Sequence, residues 1–407
     1  MPLTKVVVIN DASQAFGGAT GLALLSIRLM RARGIEVILV CGDRGENAEL
    51  AELGVEVVSA GSAGLLKRRA GDAMARGIYN PATRDMVKRL IAARDDPGTV
   101  YHVHGWAQIL SPSIFHALAP VAARCFIHAH DMFLACPNGV YMDYPHNAVC
   151  TRVPLSGSCI LRNCDKRSYG HKLWRVARGA SLRRALDRSA PWAGILAIHP
   201  AMVPRLARAG LPEPLFRVVR NPVTPFSQTR IPAEDNSALA YVGRLEADKG
   251  VLHLADSAAR TGQRLICIGE GSLRATLEQR FPDIQITGWQ PRAAIGALLA
   301  GARALVMPSL HPEPFALVLP EALQSGLPVA VVQTALLAPE IEAAGLGISF
   351  DVFDPHSMDG ALIRLRDAPA AEIARMSRAG HARTPQLALD PETWIDLLHG
   401  HYADALS

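Results

Sequence analysis

Pro308-Ser309-Leu310-His311-Pro312-Glu313-Pro314-Phe315-Ala316-Leu317-Val318-Leu319-Pro320-Glu321-Ala322-Leu323 lies between two apolar stretches, RALVM (303–307) and PVAVV (328–332). Prolines at 308, 312 and 314 mark a loop leaving the first stretch, and the apolar residues that follow have helical spacing. The pattern is strand, loop, helix, strand. Two acids stand eight apart: Glu313 in the loop, before a helix expected to open near Phe315–Ala316, and Glu321 inside that helix. The first amides of a helix lack intrahelical acceptors, so those of Phe315, Ala316 and Leu317 can hold phosphate or sugar oxygens. Glu313 can accept from hydroxyls. Glu321, set among Pro320, Ala322 and Leu323, needs a polar partner, because an unpaired carboxylate there is costly.

The same rhythm runs outward in both directions. Strands are expected at KVVVIN (5–10), EVILVC (36–41), VEVVS (55–59), TVYHVH (99–104), RCFIHA (124–129), GILAIH (194–199) and FRVV (216–219). After the proline-rich, polar stretch 220–237 they resume at LAYVG (239–243), RLICIG (264–269), DIQIT (283–287), RALVM, PVAVV and GISF (347–350). Apolar strands alternating with helices imply parallel sheets covered on both faces. The economical architecture is α/β, with two doubly wound domains in tandem. Ligands of such sheets sit beyond the carboxyl ends of strands, so the residues that follow strands carry the information. LAYVG leads into Gly243-Arg244-Leu245-Glu246-Ala247-Asp248-Lys249-Gly250, where Arg244 and Lys249 can aim at one anion. RLICIG leads into the compact turn Gly269-Glu270-Gly271-Ser272.

The chain has 407 residues, 49% hydrophobic and 19% charged, which excludes a disordered protein and a small disulfide scaffold. A net charge of +5 is too small to argue for nucleic acid. No apolar run approaches the ~18 residues of a membrane span, and Met-Pro-Leu-Thr-Lys runs straight into a strand, so a soluble cytoplasmic chain is expected. The charge is uneven: between Arg152 and Arg188, ten Lys/Arg face two acids, a local net of +8. A second basic cluster comprises Lys67-Arg68-Arg69 with Arg76, Arg84, Lys88 and Arg89. Both read either as solvated helix faces or as attraction to an anionic membrane or a phosphorylated substrate. Of the seven cysteines, Cys41, Cys125 and Cys267 sit in apolar strands, while Cys136, Cys150, Cys159 and Cys164 crowd one segment. In a cytosolic chain that crowding favours thiolate ligation of a metal, with structural zinc first and an iron–sulfur cluster second.

The motifs together resemble the family 4 retaining glycosyltransferases of GT-B fold. The resemblance rests on Glu313-x7-Glu321 with SGLPVAVV (325–332), on GRLEADKG (243–250), on IGEGSLRATLE (268–278) and on GWQPRAAIGALLAGARALVMPSL (288–310). It extends more loosely to Gly17-Gly18, HVHGW (102–106), HAHD (128–131) and the stretch 197–223. It implies two Rossmann-like domains facing each other across a cleft: an acceptor-binding domain 1–220 with a Cys-rich insertion 132–170, a nucleotide-sugar-binding domain 221–385, and a C-terminal helix, 386–407, packing back on the first. The donor would be a nucleoside diphosphate sugar, UDP- or GDP-linked. Arg244 and Lys249 would hold its diphosphate, Glu313 the transferred sugar's hydroxyls, and Glu321 the ribose. The backbone of Phe315, Ala316 and Leu317 would hold sugar and phosphate oxygens. Glu270, Gly271 and the Gly288–Trp289 region would border the nucleotide, His130 would stand near the transferred sugar, and Gly17-Gly18 would approach phosphates or acceptor. Asp131, beside His130, is expected to position or cap the backbone.

Two departures stand out. Pro314 replaces the usual glycine after the first glutamate, and Ala316 replaces another two places on; both bear on which sugar is accepted. The Cys-rich segment, from HDMFLACPNG (130–139), resembles an insertion in some bacterial polysaccharide-assembly glycosyltransferases. That implies a saccharide or lipid-linked acceptor, peripheral contact with an anionic membrane, and no nucleic acid. The competing classes are a nucleic-acid or protein-binding module built on the Cys-rich segment, and a nucleotide-sugar-modifying Rossmann enzyme. The latter is disfavoured because no first-strand loop carries GxGxxG.

Overall fold

The computed structural model describes residues 1–15, 17–64, 70–382 and 386–407, so Lys67, Arg68 and Arg69 lie outside the described residues. The chain forms two compact units, Met1–Arg220 with Pro391–Ser407, and Asn221–Asp390.

The first unit holds β1 (Lys5–Asn10), β2 (Glu36–Cys41), β3 (Glu56–Ser59), β4 (Thr99–Val103), β5 (Cys125–Ala129), the short ribbon of β6 (Met142–Asp143) and β7 (Ala148–Val149), then β8 (Gly194–Ala197) and β9 (Phe216–Val218). The main sheet has the order β3-β2-β1-β4-β5-β8-β9, parallel throughout. Every residue of β1 and β4 is buried, as runs rich in β-branched side chains require when helices cover both faces. The ribbon, a short helix at Gly157–Leu161 and the long helix Tyr169–Ala185 form the Cys-rich segment.

The C-terminal helix Pro391–Leu406 belongs to this unit and buries Trp394, Ile395, Leu398 and Tyr402. Arg33, just beyond the helix Gly18–Ala32, pairs with its Glu392 and Asp396 at 2.7 Å each.

The second unit holds β10 (Ala238–Val242), β11 (Leu265–Ile268), β12 (Gln285–Ile286), β13 (Ala302–Met307), β14 (Val329–Val332) and β15 (Gly347–Phe350) in one parallel sheet of order β12-β11-β10-β13-β14-β15. The strand order reverses between β10 and β13, and the loops leaving those neighbours lie at one sheet edge, where doubly wound sheets bind ligands. Among the described residues, no helix is long and apolar enough to cross a membrane.

Those two loops are pressed together. After β10 the chain makes a 3-10 turn, Ala247–Lys249, then passes through Gly250 at φ 69° into the helix Val251–Arg260. A Cβ on Gly250 would lie 1.9 Å from the carbonyl oxygen of Pro308, which follows β13. The Leu310 amide donates to the Asp248 carbonyl at 3.0 Å. Gly250 therefore meets two demands at once, a left-handed backbone and a close approach. Gly250→Ala is expected to destabilise the second unit by at least about 2 kcal/mol, read as a lower denaturation midpoint. An unchanged midpoint would refute the packing of these loops.

Candidate functional site

The β10 and β13 loops bring Lys249 and Glu313 into contact, Nζ to Oε1 at 2.5 Å. The Ser309 hydroxyl donates to the same oxygen at 2.6 Å, and His311 Nε2 lies 3.4 Å from it. Burial works against the Glu313 charge, but Lys249, His311 and the Ser309 hydrogen bond outweigh it and hold the carboxyl below its ordinary value. Arg244 is exposed and forms no ion pair among the described residues, while its carbonyl accepts from the Tyr241 hydroxyl at 2.7 Å. The edge between β10 and β13 thus carries one held ammonium and one free guanidinium.

Beyond Glu313 the chain reaches Ala316 at φ 51°, left-handed backbone that disfavours any residue with a Cβ. The helix expected from Phe315–Ala316 consequently begins at Val318 and runs to Gln324. Phe315, Ala316 and Leu317 form the turn before it, with Phe315 buried and the other two half-buried. Glu321 sits in the helix with its side chain 12% exposed and accepts from Arg292 at 2.8 Å. Arg292 also donates to the Thr224 carbonyl and lies over the Phe226 ring at 5.3 Å. Burial pushes the Glu321 carboxyl up to about 7, against the opposing pull of Arg292. The sequence foretold that Glu321 would need a partner; Arg292 escaped notice because nothing in PRAAIG marks it out.

The β11 loop borders the same edge. The Gly269 amide donates to the Gly288 carbonyl at 2.9 Å, which sets Glu270 and Gly271 beside Gly288 and Trp289. A Cβ on Gly271 would lie 2.4 Å from the Leu245 carbonyl oxygen, so that turn also requires close backbone approach. Glu270 is exposed and paired with Arg274, and Trp289 is 73% exposed.

In the first unit, Gly17 occupies the N-cap of the helix Gly18–Ala32, which follows the β1 loop. His130 follows β5, with Nε2 3.0 Å from His104 Nδ1, and burial pushes its imidazole down to about 3, so it is neutral. Asp131 accepts the Phe133 amide at 2.8 Å and is pushed up to about 6 by burial. Asp11 accepts three amides, from Gln108, Ile109 and Leu110 at 2.8–2.9 Å, which fixes the loop after β4. That clamp, and the histidines 102, 104 and 128 that join His130, were not foreseen as a group.

The four clustered cysteines adopt an arrangement other than the one their spacing suggested. Lys172, buried, donates to Cys159 Sγ at 3.4 Å and also reaches Cys164. Cys136 donates to the Asn138 side-chain oxygen at 2.9 Å, and the Asn138 amide nitrogen donates to Cys164 at 3.6 Å. Burial pushes the Cys136 thiol up to about 11 and raises that of Cys164 against the pull of Lys172. Among the described residues, no three of these sulfurs lie within ligating distance of one another. The zinc or iron–sulfur expectation for Cys136, Cys150, Cys159 and Cys164 thus meets no preformed grouping of three sulfurs among the described residues, and the buried Lys172 ammonium lies against two of them.

Known proteins share this architecture. Residues 236–368 match the family model described as "Glycosyl transferases group 1". A GDP-mannose-dependent alpha-mannosyltransferase of Mycolicibacterium smegmatis is 32% identical over 169 residues, 41% of this chain and 43% of that protein. A glycogen synthase of Mycobacterium tuberculosis is 32% identical over 190 residues, 43% of this chain and 44% of that protein. The matches thus span less than half the length of these curated relatives. Among solved structures, Anabaena HepE in complex with UDP aligns with a TM-score of 0.67 at 16% identity, covering 98% of this chain and 100% of that one. WaaG, a glycosyltransferase involved in lipopolysaccharide biosynthesis, aligns with a TM-score of 0.67 at 15% identity over 97% of this chain and 100% of its own. The fold is GT-B, two Rossmann-like sheets in tandem. The match to the group 1 glycosyl transferase model lies within the second unit.

The raised Glu321 carboxyl has a pH consequence. Folding favours its neutral form, so the fold is most stable below the ordinary value of 4.5 and loses stability as pH rises through about 7. Glu321→Gln keeps an acceptor for Arg292 without the charge. Its melting temperature should match the wild type near pH 4.5 and exceed it by several degrees at about pH 8. A gap that does not widen with pH would contradict this assignment.

Proposed function

We propose that this chain is a retaining glycosyltransferase that transfers a hexosyl group from a UDP- or GDP-linked donor to a saccharide or lipid-linked acceptor. We place the reaction at the cytoplasmic face of a bacterial membrane, in the assembly of a surface polysaccharide. The observation that carries the reading is the grouping of Arg244, Lys249 and Glu313 where the strand order reverses between β10 and β13. The mycobacterial mannosyltransferase supports a GDP donor, and the HepE complex a UDP donor.

Glycosyl transfer breaks the bond between the anomeric carbon and the donor phosphate through an oxocarbenium-like state, and negative charge grows on the departing diphosphate. Arg244 supplies a cation that no direct ion pair ties down among the described residues. Lys249, fixed by Glu313, supplies a second whose position is set before the donor arrives, which is the arrangement that lowers a barrier without reorganisation. Glu313 keeps its second carboxylate oxygen for sugar hydroxyls, and Glu321 with Arg292 takes the ribose. The amides of Phe315, Ala316 and Leu317 hold donor oxygens, with Pro314 and Ala316 narrowing the room for the sugar. Glu270, Gly271 and Trp289 border the nucleotide. Attack from the same face as departure lets a donor phosphate oxygen take the acceptor proton. His130 is assigned to catalysis as a neutral imidazole, and Gly17-Gly18 to phosphate or acceptor binding.

Thermal-shift screening should show stabilisation by UDP- or GDP-sugars over ADP- and TDP-sugars, by about 2.7 kcal/mol at 100 times the dissociation constant. With that donor, Arg244→Ala should lose roughly 100- to 1000-fold in kcat and weaken nucleotide binding. Glu313→Ala should lose transfer while still binding the free nucleoside diphosphate. Near-wild-type transfer by both variants would remove the site from this location.

The membrane reading is supported by the surface of the Cys-rich segment. Leu161 and Val153 are 80% and 53% exposed, Leu173 and Tyr169 are exposed, and so are Arg167, Arg183 and Arg184 of the same segment. Of the ten basic residues, Arg152 and Arg162 face Asp143, Arg175 pairs with Asp165, and Lys172 and Arg178 are buried, and the exposed Arg167, Arg183 and Arg184 are the ones assigned to an anionic surface. The protein should sediment with phosphatidylglycerol vesicles and not with phosphatidylcholine vesicles, and Leu161→Asp with Leu173→Asp should release it. Equal sedimentation with both lipids would argue against peripheral attachment.

A further inference from the structure

Four imidazoles meet on one face of the first unit's sheet. Pairing of Val103 with Ile127 between parallel strands sets the i and i+2 residues of both on the same side. His102 and His104 from β4 and its exit thus face His128 and His130 from β5 and its exit. Ring centroids are 4.0 Å apart for His102–His104, 5.0 Å for His104–His128 and 4.2 Å for His128–His130. His102, His104 and His128 are 0%, 5% and 4% exposed.

The hydrogen-bond account of this cluster does not close. His102 uses both nitrogens, Nδ1 on the Tyr402 hydroxyl at 2.6 Å and Nε2 on His128 Nδ1 at 3.2 Å. His104 Nδ1 meets His130 Nε2 at 3.0 Å. Among the described residues, His104 Nε2, His128 Nε2 and His130 Nδ1 have no partner although all three are buried. Buried polar atoms are ordinarily paired, so three orphans within one cluster call for a missing group.

We propose that His102, His104 and His128 are the ligands of a divalent transition-metal ion, with zinc as the ion the donor set fits. The ligating nitrogens of these three residues all lie within 4.8 Å of one another. A tetrahedral zinc with bonds of about 2.0–2.1 Å spaces its nitrogens roughly 3.4 Å apart, a closure that small side-chain rotations supply. Three neutral imidazoles suit zinc better than the hard, oxygen-seeking magnesium or calcium. Outer partners are already in place for two of the three ligands. A His102 Nδ1–H can donate to the Tyr402 oxygen and a His104 Nδ1–H to His130 Nε2, which turns the Nε2 lone pair of each ligand inward. Bound through His102 Nε2, His104 Nε2 and His128 Nε2, the ion satisfies two of the three orphans and takes the place of the 3.2 Å contact, in which His128 Nδ1 gives up His102 as its partner. With His104 donating to Nε2, neutral His130 carries its proton on Nδ1, so the ion also fixes the tautomer of His130. The site joins β4, β5 and the C-terminal helix, and it stands whether or not the chain transfers sugar.

The full chain, stripped with chelator, is titrated with Zn2+ by calorimetry and with Co2+ by visible absorption. The expected result is one equivalent per chain and a Co2+ spectrum without a thiolate charge-transfer band. His104→Ala and His128→Ala should lose the stoichiometric binding, and Tyr402→Phe, which keeps the packing, should weaken it 10- to 100-fold. Cys159→Ser with Cys164→Ser should bind as the wild type does. Absence of stoichiometric binding by the wild type, undiminished binding by His128→Ala and Tyr402→Phe, or a thiolate band would each overturn the proposal. Where the alanine variants do not fold, Tyr402→Phe and the wild-type Co2+ spectrum decide.

Discussion

The contact of the Gly250 backbone with the Pro308 carbonyl sets the positions of everything at the second sheet's binding edge. β10 and β13 are neighbours, but neighbouring strands alone leave their exit loops free to diverge. A residue without a Cβ lets one loop lie directly on the other. The amide of Leu310 then finds the Asp248 carbonyl, and Lys249 arrives within reach of Glu313 as a consequence. The ion pair is an outcome of backbone packing more than its cause. A half-buried pair has to recover the desolvation of both partners, and here the Ser309 hydroxyl and His311 add to the attraction.

The two glutamates of the motif show how environment assigns different roles to one residue type. Glu313 has a lysine, a hydroxyl and an imidazole around one oxygen and remains a carboxylate. Glu321 has a single arginine, itself shared with a carbonyl and an aromatic face, and burial wins. The first holds a cation in place. The second carries a carboxyl whose charge burial disfavours. Eight residues of sequence separate them, yet the difference lies in how many polar neighbours each loop delivers.

Much of this was legible in the sequence. All the expected strands of both main sheets appear, because the buried central parallel strands write themselves as uninterrupted apolar runs, and the partly exposed β3, β9 and β12 continue the same alternation with helices. The loops after β10, β11 and β13 were legible for the same reason, since a parallel sheet gathers its carboxyl ends at one edge. What stayed hidden depends on backbone angle or on contacts between distant segments. The start of the helix after Glu313 moves to Val318 because Ala316 takes a left-handed conformation that composition does not announce. Arg292 is one arginine among many until the fold lays it beside Glu321.

The cysteines and histidines show the same limit from opposite sides. Four cysteines close in sequence invite a metal, but proximity along a chain says little about where thiols point, and Lys172 threads from a separate helix to occupy two of them. The histidines are two apart in each of two segments, HVH and HAH, a spacing that looks unremarkable in a list of motifs. In a strand, however, a separation of two guarantees a shared face, and parallel pairing of two such strands guarantees that the faces coincide. A period of two on neighbouring strands is therefore a stronger statement about convergence than a cluster of residues in one irregular segment. It becomes readable once the strands are known to be adjacent, which the order β1-β4-β5 establishes. Metal-site reasoning in doubly wound folds gains more from strand register than from residue counting.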